Sequence, residues 1–267
     1  MQRATGELRL SVKRVGTETS LDGLRQAGCL KARFPRRVTP GWLDAVMLNT
    51  GGGVAGGDRL SVAVEAGPDT LVTVTAQAAE RFYRSLSPDQ PSVVRTALTV
   101  APGAMLEWLP QETILFDRSA LDRRLDIDIA GTGRFLGVET LVFGRTAMGE
   151  SVREGQLRDL IRIRHGGVLK LHDAVRLDGP VHGTLGRSAI AGGATTVATL
   201  VYIAPDADAV LPAVRTALEG IEGGASAWNG MLVVRVLGAD SAAVRRCVIA
   251  VLAVLRKDRP LPRVWLC

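Results

Sequence analysis

The most persistent pattern in this chain is a short alternation of apolar and polar residues. It recurs at 8–12, 60–64, 93–100 and 124–129, and Gly or Pro residues separate the segments. Alternation with a period of two places side chains on opposite faces of a β-strand. Strands at this frequency, with no helical pattern between them, predict a mainly β body with antiparallel or mixed sheets. Further strands are predicted at 71–75, 104–109, 134–143, 157–164, 168–173, 197–203 and 232–237.

A first helical pattern appears late in the chain, from about 206 to 218. Asp206 or Asp208 is suited to cap its N-terminus, and Gly220 is suited to end it. Pro212 lies inside this stretch, and a proline is tolerated only in the first turn because it lacks a backbone N–H. One helix is therefore predicted here.

A second and stronger helical pattern covers 241–257, with Asp240 or Ser241 as the N-cap. Its apolar residues follow the i, i+3, i+4, i+7 series, and further apolar residues make it hydrophobic on nearly all sides. Such a helix must be enclosed, either by its own domain or by a partner, and both alternatives stay open. The docking alternative assigns the partner contacts to Val248, Val251 and Leu252.

The composition is that of a globular protein with one domain over 1–267. The net charge is +6, and only four of the 33 basic residues are Lys. Because the Arg residues are scattered between acids, we interpret them as solvated faces and predict no nucleic-acid or membrane partner. Cys29, Cys247 and Cys267 form no CxxC pair, which supports neither a zinc knuckle nor a redox pair. Without a signal peptide or an apolar run of about 20 residues, the chain is predicted to be cytoplasmic.

A loop rich in glycine, with five Gly residues between 51 and 57, marks a backbone under unusual conformational demand. Its letters satisfy the dinucleotide fingerprint G-x-G-x-x-G, but that motif needs a helix after it to hold the pyrophosphate. Here the next segment, 60–64, alternates as a strand does. We therefore interpret the loop as a strand-to-strand connection with tight backbone packing, and one acid, Asp58, follows it.

Three further polar blocks, 77–85, 106–117 and 143–150, are candidates for chemistry. A hydrolase that uses Glu107 and Glu112 stays open as an alternative, although their spacing across a proline defines no carboxylate geometry. The chain has no Gly-x-Ser-x-Gly elbow. Its three histidines lie outside the blocks, at His165, His172 and His182. The sequence therefore favours a protein without catalytic activity and without a histidine-rich metal site.

The four blocks together, in this order and spacing, resemble the UreD family of urease accessory proteins, also called UreH. The resemblance rests on 48–60, 83–85, 107–117 and 144–150, and it extends to Pro-Arg-Val-Trp at 262–265. The residues that carry it are Asn49, Gly51, Gly52, Gly56, Gly57, Asp58, Tyr83, Arg84, Ser85, Glu107, Trp108, Pro110, Gln111, Glu112, Asp117, Gly144, Arg145, Gly149 and Glu150.

The resemblance implies a fold and a role. The fold would be mostly β, with strands coiled into a stacked, helix-like body and two α-helices in the C-terminal third. The role would be that of a non-catalytic scaffold in nickel insertion, which binds the urease apoprotein and UreF and recruits the GTPase UreG through UreF. No cofactor would be bound tightly, but nickel would pass in transit through a tunnel. We expect Asp58, Glu112 and Glu150 to line or border this path, with packing roles for the same acids as the alternative.

Overall fold

The strands of this chain pair into two sheets. The computed structural model describes residues 3–87, 89–145, 149–257 and 259–266. The strands are β1 (Thr5–Val15), β2 (Glu18–Gly28), β3 (Leu30–Arg33), β4 (Trp42–Asn49), β5 (Arg59–Ala66), β6 (Leu71–Ala76), β7 (Glu80–Phe82), β8 (Ser92–Val100), β9 (Met105–Leu109), β10 (Thr113–Leu115), β11 (Ala120–Ile129), β12 (Arg134–Phe143), β13 (Gly155–His165), β14 (Val168–Gly179), β15 (Thr196–Ile203), β16 (Glu222–Trp228) and β17 (Met231–Gly238). In the described residues the first sheet has the order β14-β13-β11-β8-β5-β1-β2. The second has the order β16-β17-β15-β12-β9-β6-β4-β3, with β10 between β12 and β7.

The central strands form a coil, because the chain alternates between the sheets in the order β4, β5, β6, β8, β9, β11, β12 and β13, and the short strands β7 and β10 lie in the connections. Strands β5, β8, β11 and β13 run parallel in the first sheet. Strands β4, β6, β9 and β12 run parallel in the second. The prediction of a stacked, helix-like β body is therefore confirmed.

The connections of this coil differ on its two sides. Turns of four residues at 67–70, 101–104 and 130–133 join the strands on one side. The connections 50–58, 77–91, 110–119 and 144–154 join them on the other, which we call the long-loop side. All four sequence blocks lie in or next to these longer connections.

Two apolar cores flank the second sheet. Phe135 of β12 points into the core between the sheets, together with Val64 of β5 and Leu98 of β8. The next residue, Leu136, points into the other core, where the sheet meets two helices. This reversal at successive residues follows from the two-residue period of a strand.

Helices occupy the C-terminal part of the chain. In the described residues they are α1 (Val181–Leu185), α2 (Ala207–Ala217) and α3 (Ser241–Leu255), followed by a 3₁₀ turn at Arg263–Trp265. Two of the three were predicted. The five-residue helix α1 was not, because it is too short to show a helical period and follows Pro180. No helix among the described residues has the length and apolar character that crossing a bilayer requires.

The ends of the two predicted helices agree with the prediction from sequence, but the position of Pro212 does not. Asp240 caps α3, since its carboxylate accepts a hydrogen bond from the Ala242 amide at 2.9 Å. Pro212, in contrast, is the sixth residue of α2, beyond the first turn. Its side of the helix is exposed, so water can satisfy the carbonyl that loses its intrahelical donor.

Helix α3 is a core helix, which corrects the expectation that its apolar residues form a docking surface. Val248, Val251 and Leu252 are buried, with at most 1% of each residue exposed. They lie in the core that α3 forms with α2, β15 and β17. Because the chain itself covers these side chains, they cannot contact a partner in this conformation.

Burial of α3 predicts that Val251→Asp lowers the free energy of unfolding by about 3 kcal/mol or more, since it places an unpaired carboxylate in an apolar core. Urea denaturation monitored by circular dichroism measures this loss. Ala250→Asp, at an exposed position of the same helix, is the matched control and should cost about 0.5 kcal/mol. Equal stability of the two variants would contradict the core assignment.

Candidate functional site

The glycine-rich loop is a connection between strands β4 and β5 that packs against β7. The Val54 amide donates to the Arg81 carbonyl at 2.8 Å, and the Tyr83 amide donates to the Val54 carbonyl at 2.8 Å. The Tyr83 hydroxyl also donates to the Gly52 carbonyl at 2.9 Å. The interpretation of the loop as a strand-to-strand connection is confirmed.

Two glycines of this loop are required by close contacts with the second sequence block. A Cβ on Gly53, whose φ is +140°, would lie 2.4 Å from the Tyr83 ring. A Cβ on Gly56 would lie 2.1 Å from the Ser85 hydroxyl. The glycines and the Tyr-Arg-Ser block are therefore two halves of one packing arrangement.

Asp58 holds the glycine-rich loop in place, and only 6% of this residue is exposed to solvent. One carboxylate oxygen accepts from the Ala4 amide at 2.8 Å, and the other accepts from the Ala55 amide at 2.8 Å. Both oxygens thus hold backbone, which supports the packing role for this acid.

The last two blocks join the same long-loop side. The Tyr83 and Phe116 rings meet edge to face with centroids 5.0 Å apart, and the Arg145 guanidinium lies 4.4 Å from the Phe116 centroid. Arg145 also pairs with Glu150 at 2.5 Å. Gly144 and Gly149 take positive φ values of 91° and 71° around this turn. Residues 146–148 of the block lie outside the described residues.

Asp117 organises the neighbouring loop through backbone contacts. Its carboxylate accepts hydrogen bonds from the Arg153 amide at 2.8 Å and the Glu154 amide at 3.1 Å. The 110–119 and 144–154 connections are therefore held side by side.

Glu107, one of the candidate catalytic acids, is an internal anchor for the C-terminal segment. It is 1% exposed and pairs with Arg256 at 3.2 Å and with Arg259. The Thr73 hydroxyl donates to it at 2.9 Å. Because this carboxylate is buried and its charge is paired with two arginines, its role is structural.

Glu112, the other candidate acid, lies in a separate ion pair. It meets Arg245 at 2.6 Å, and the same guanidinium donates to Gln111 at 2.7 Å. Glu107 and Glu112 thus share no partner, and this arrangement does not favour the hydrolase alternative.

Three neighbouring cavities carry charged side chains in walls that are otherwise largely apolar. The first holds about 230 Å³ and is lined by Asn49, Glu80, Trp108, Pro110, Arg123 and Glu139, among others. Residues Gln77 and Gln111 also line an outer cavity of about 360 Å³, whose wall includes Glu112 and Arg245. Arg123 and Glu139 also line an inner cavity of about 20 Å³, which is room for about one water molecule. The three cavities therefore follow one another and share walls.

Arg123 lies at the boundary of the first and inner cavities and links the two sheets. From β11 it contacts Asp159 on β13 through two hydrogen bonds of 2.8 and 2.6 Å. It also donates to Glu139 on β12 at 2.6 Å and to the Thr113 hydroxyl at 2.9 Å. The Trp108 indole donates to the second oxygen of Glu139 at 2.8 Å. The cluster is a fully partnered buried network.

Burial shifts the titration of the acids along these cavities. Desolvation raises the pKa of Glu139, while the Arg123 charge opposes this rise. Burial also raises the pKa of Glu80, whose main partner is the Asn49 amide at 3.1 and 3.2 Å. For Arg123 itself, burial acts to lower the pKa, but Asp159 and Glu139 raise it overall. The guanidinium therefore stays charged inside the protein.

The structure does not bring the three expected path acids together. Glu112 lines the outer cavity, Asp58 holds the glycine-rich loop, and Glu150 lines a separate cavity of about 220 Å³ beside His182. Within the described residues no group of three or more His, Cys, Asp or Glu side chains is arranged to hold a metal ion.

Sequence reasoning missed the cluster between the sheets, although a signal was present. On β11 the inward positions read Leu121, Arg123, Leu125, so one charge interrupts an apolar series. Asp159 interrupts the inward series of β13 in the same way, between Leu157 and Ile161. A charged residue at an inward strand position implies a buried partner.

Arg123→Met should therefore lower the free energy of unfolding by about 3 to 5 kcal/mol, because it leaves Glu139 and Asp159 buried without their cation. In the variant Glu139 loses the charge that opposes its desolvation, so its folded-state pKa rises further above the unfolded value and the folded state binds more protons than the unfolded state. The loss is then larger at about pH 8 than at about pH 5.5. Urea denaturation at both pH values measures it.

Arg162→Met provides the control, since Arg162 pairs with Asp126 at 2.8 Å on the same sheet but keeps 33% of its side chain exposed. Its removal should cost no more than about 1 kcal/mol at either pH. A loss for Arg123→Met that matches this control would show that the buried link contributes little.

Known proteins similar to this chain share one description. A family model described as "UreD urease accessory protein" matches residues 4–266. The urease accessory protein UreD of Xanthobacter autotrophicus is 47% identical over 268 residues, which cover 99% of this chain and 90% of the relative. The protein of the same name from Rhizobium leguminosarum bv. trifolii is 45% identical, covering 99% of this chain and 96% of the relative. One from a Methylobacterium species is 46% identical over 99% and 95%.

Proposed function

Because the chain belongs to the UreD family of urease accessory proteins, we propose that it is a non-catalytic scaffold for nickel insertion into the urease apoprotein. In this role it binds the apoprotein and UreF, recruits the GTPase UreG through UreF, and lets nickel pass without retaining it. Its site of action is the cytoplasm. Membership in the UreD family supports the accessory role.

The observation that carries the proposal is a succession of three cavities with charged side chains in their walls, two of them between the two sheets and the outer one beside α3. A β core packed only for stability leaves few voids and few buried charges. Here the outer cavity has Glu112 in its wall, and Glu80 and Glu139 line the next one. Asp159 and Asp173 line the inner one. These acids place carboxylate oxygens in the walls of all three successive cavities.

The chemistry of the walls suits passage rather than storage. Each acid near the route has a competing partner, such as Arg245 for Glu112 and Arg123 for Glu139. Such pairing keeps a carboxylate from holding a divalent cation firmly, because the cation must replace a guanidinium or share its charge. Arg123 in particular separates two cavities, so nickel would pass only when this side chain moves.

The cavity positions revise the acids assigned to this route. Glu112 keeps its proposed place at the outer end. Asp58 uses both oxygens on backbone amides, and Glu150 lies beside a different cavity. The route that we propose therefore passes Glu112, Glu80 and Glu139.

We expect Glu139→Gln to lower the nickel content of co-expressed urease several-fold, because it removes a charged ligand at the boundary of two cavities and keeps the side-chain shape. Glu112→Ala should act in the same direction. Metal analysis of purified urease measures the effect, and co-purification of the accessory complex shows that assembly is intact.

Glu65→Gln, on the exposed face of β5, is the matched control and should leave nickel loading unchanged. Asp58→Ala and Glu150→Ala should reduce loading only as far as they reduce the amount of folded protein. Unchanged loading with Glu139→Gln, Glu80→Gln and Glu112→Ala would remove the conduit from this interior.

A further inference from the structure

The long-loop side of the coil presents exposed apolar and basic side chains close together. Leu86 is 72% exposed and Tyr83 is 37% exposed. Arg84 and Arg153 are exposed beside them, and 56% of the Arg118 side chain is accessible. We call these five residues, Tyr83, Arg84, Leu86, Arg118 and Arg153, the loop patch.

Backbone hydrogen bonds fix the loop patch as one surface. The Ser85 amide donates to the Arg118 carbonyl at 2.9 Å, and the Arg118 amide donates to the Glu154 carbonyl at 2.8 Å. Arg84 also forms an isolated bridge with Ser119. Three segments that are distant in sequence therefore lie side by side, and the patch is held by the fold.

The arginine side chains of the loop patch have few interactions within the described part of the chain. The side chains of Arg84 and Arg153 make no hydrogen bond or ion pair with other described residues, and Arg118 approaches Asp117 only to 4.0 Å. Arg118 also holds a φ of 60°, which is uncommon for a residue with a side chain. Such backbone conformations concentrate at sites of function.

The charge of this side identifies the chemistry of a partner. Five arginines of the long-loop side are exposed, against two exposed acids among its described residues, Asp89 and Glu154. The arginines are Arg81, Arg84, Arg118, Arg145 and Arg153. Exposed Tyr and Arg side chains next to an apolar one are the composition of binding hot spots between proteins.

We infer that the loop patch docks an acidic surface of a partner protein, with Leu86 and Tyr83 as apolar contacts and Arg84, Arg118 and Arg153 as charge partners. This inference rests on the proposed function, since it assigns a face of the scaffold to one protein of the nickel-insertion complex. A nucleic acid fits less well, because Asp89 and Glu154 would repel its phosphates and the apolar residues interrupt the basic ones.

The test uses the full chain with Arg84→Glu, Leu86→Ser and Arg153→Glu combined. None of these three residues lines the cavities of the proposed route. The matched control combines Arg14→Glu, Val15→Ser and Arg36→Glu, which are exposed residues on the side of the short turns. Both variants should unfold at a temperature close to that of the wild type, because the substituted side chains are exposed.

Co-purification with urease apoprotein and with UreF, measured separately, gives the result. We expect the patch variant to lose one of these partners, with an affinity at least roughly tenfold weaker, while the control variant keeps both. Wild-type binding should weaken between about 0.05 M and about 0.5 M NaCl, and the patch variant should show a smaller salt dependence.

The remaining outcomes overturn the inference in distinguishable ways. If the patch variant retains both partners at wild-type affinity, the loop patch is not the docking surface and the proposed function still holds. If wild-type protein binds neither partner, the proposed function fails and the inference fails with it. If the patch variant loses only binding to single-stranded RNA or duplex DNA, measured by electrophoretic shift, the partner is not a protein.

Discussion

The buried contact of Arg123 with Glu139 and Asp159 is the constraint on which the interior of this protein depends. It joins the two sheets of the coil at a depth where an unpaired charge costs several kcal/mol. All three groups must therefore be present together. Their hydrogen-bond partners, Thr113 and Trp108, must also carry polar groups, although their side chains point inward. Cavities lie on both sides of the cluster. The same contact thus holds the sheets together and divides the space between them.

The residues that carry the family resemblance act mainly through shape. Gly53 and Gly56 make room for Tyr83 and Ser85, Asp58 holds the N-terminal strand against the loop, and Glu107 holds the C-terminal segment through two arginines. These contacts build a rigid side of long loops, where backbone from four connections lies together. A rigid surface loses little conformational freedom on binding, which suits the scaffold role that we propose.

Much of the fold could be predicted from sequence because each central strand alternates strongly and ends at a turn residue. The strand predicted at 134–143 agrees with β12 at both ends. Strand β2 was missed because both of its faces are largely exposed at the sheet edge, so its sequence shows no apolar alternation. Pairing order, and with it the coil, depends on contacts between distant residues that no local pattern specifies.

The candidate site was predictable only in part, for a related reason. The blocks that meet on the long-loop side were recognised as blocks, but their contacts, such as Tyr83 with Gly53, needed the structure. Glu112 lines the outer cavity, and its place on a nickel path stays a prediction. Glu80 lies in the candidate block 77–85, but Glu139 and Asp159 were overlooked because a single acid in a strand is usually solvated, and only the pairing of sheets shows that these two point inward. The sequence likewise could not decide whether a partner or its own domain covers α3. The packing of α3 in the structure shows that its own domain covers it.

We propose that this chain helps another protein to receive nickel and performs no reaction of its own. The most direct measurement compares urease purified from cells with and without this chain, with the other accessory proteins present, and determines nickel per urease polypeptide. We expect that without this chain the urease polypeptide accumulates with little nickel. Urease that carries its full nickel complement in the absence of this chain would contradict the account.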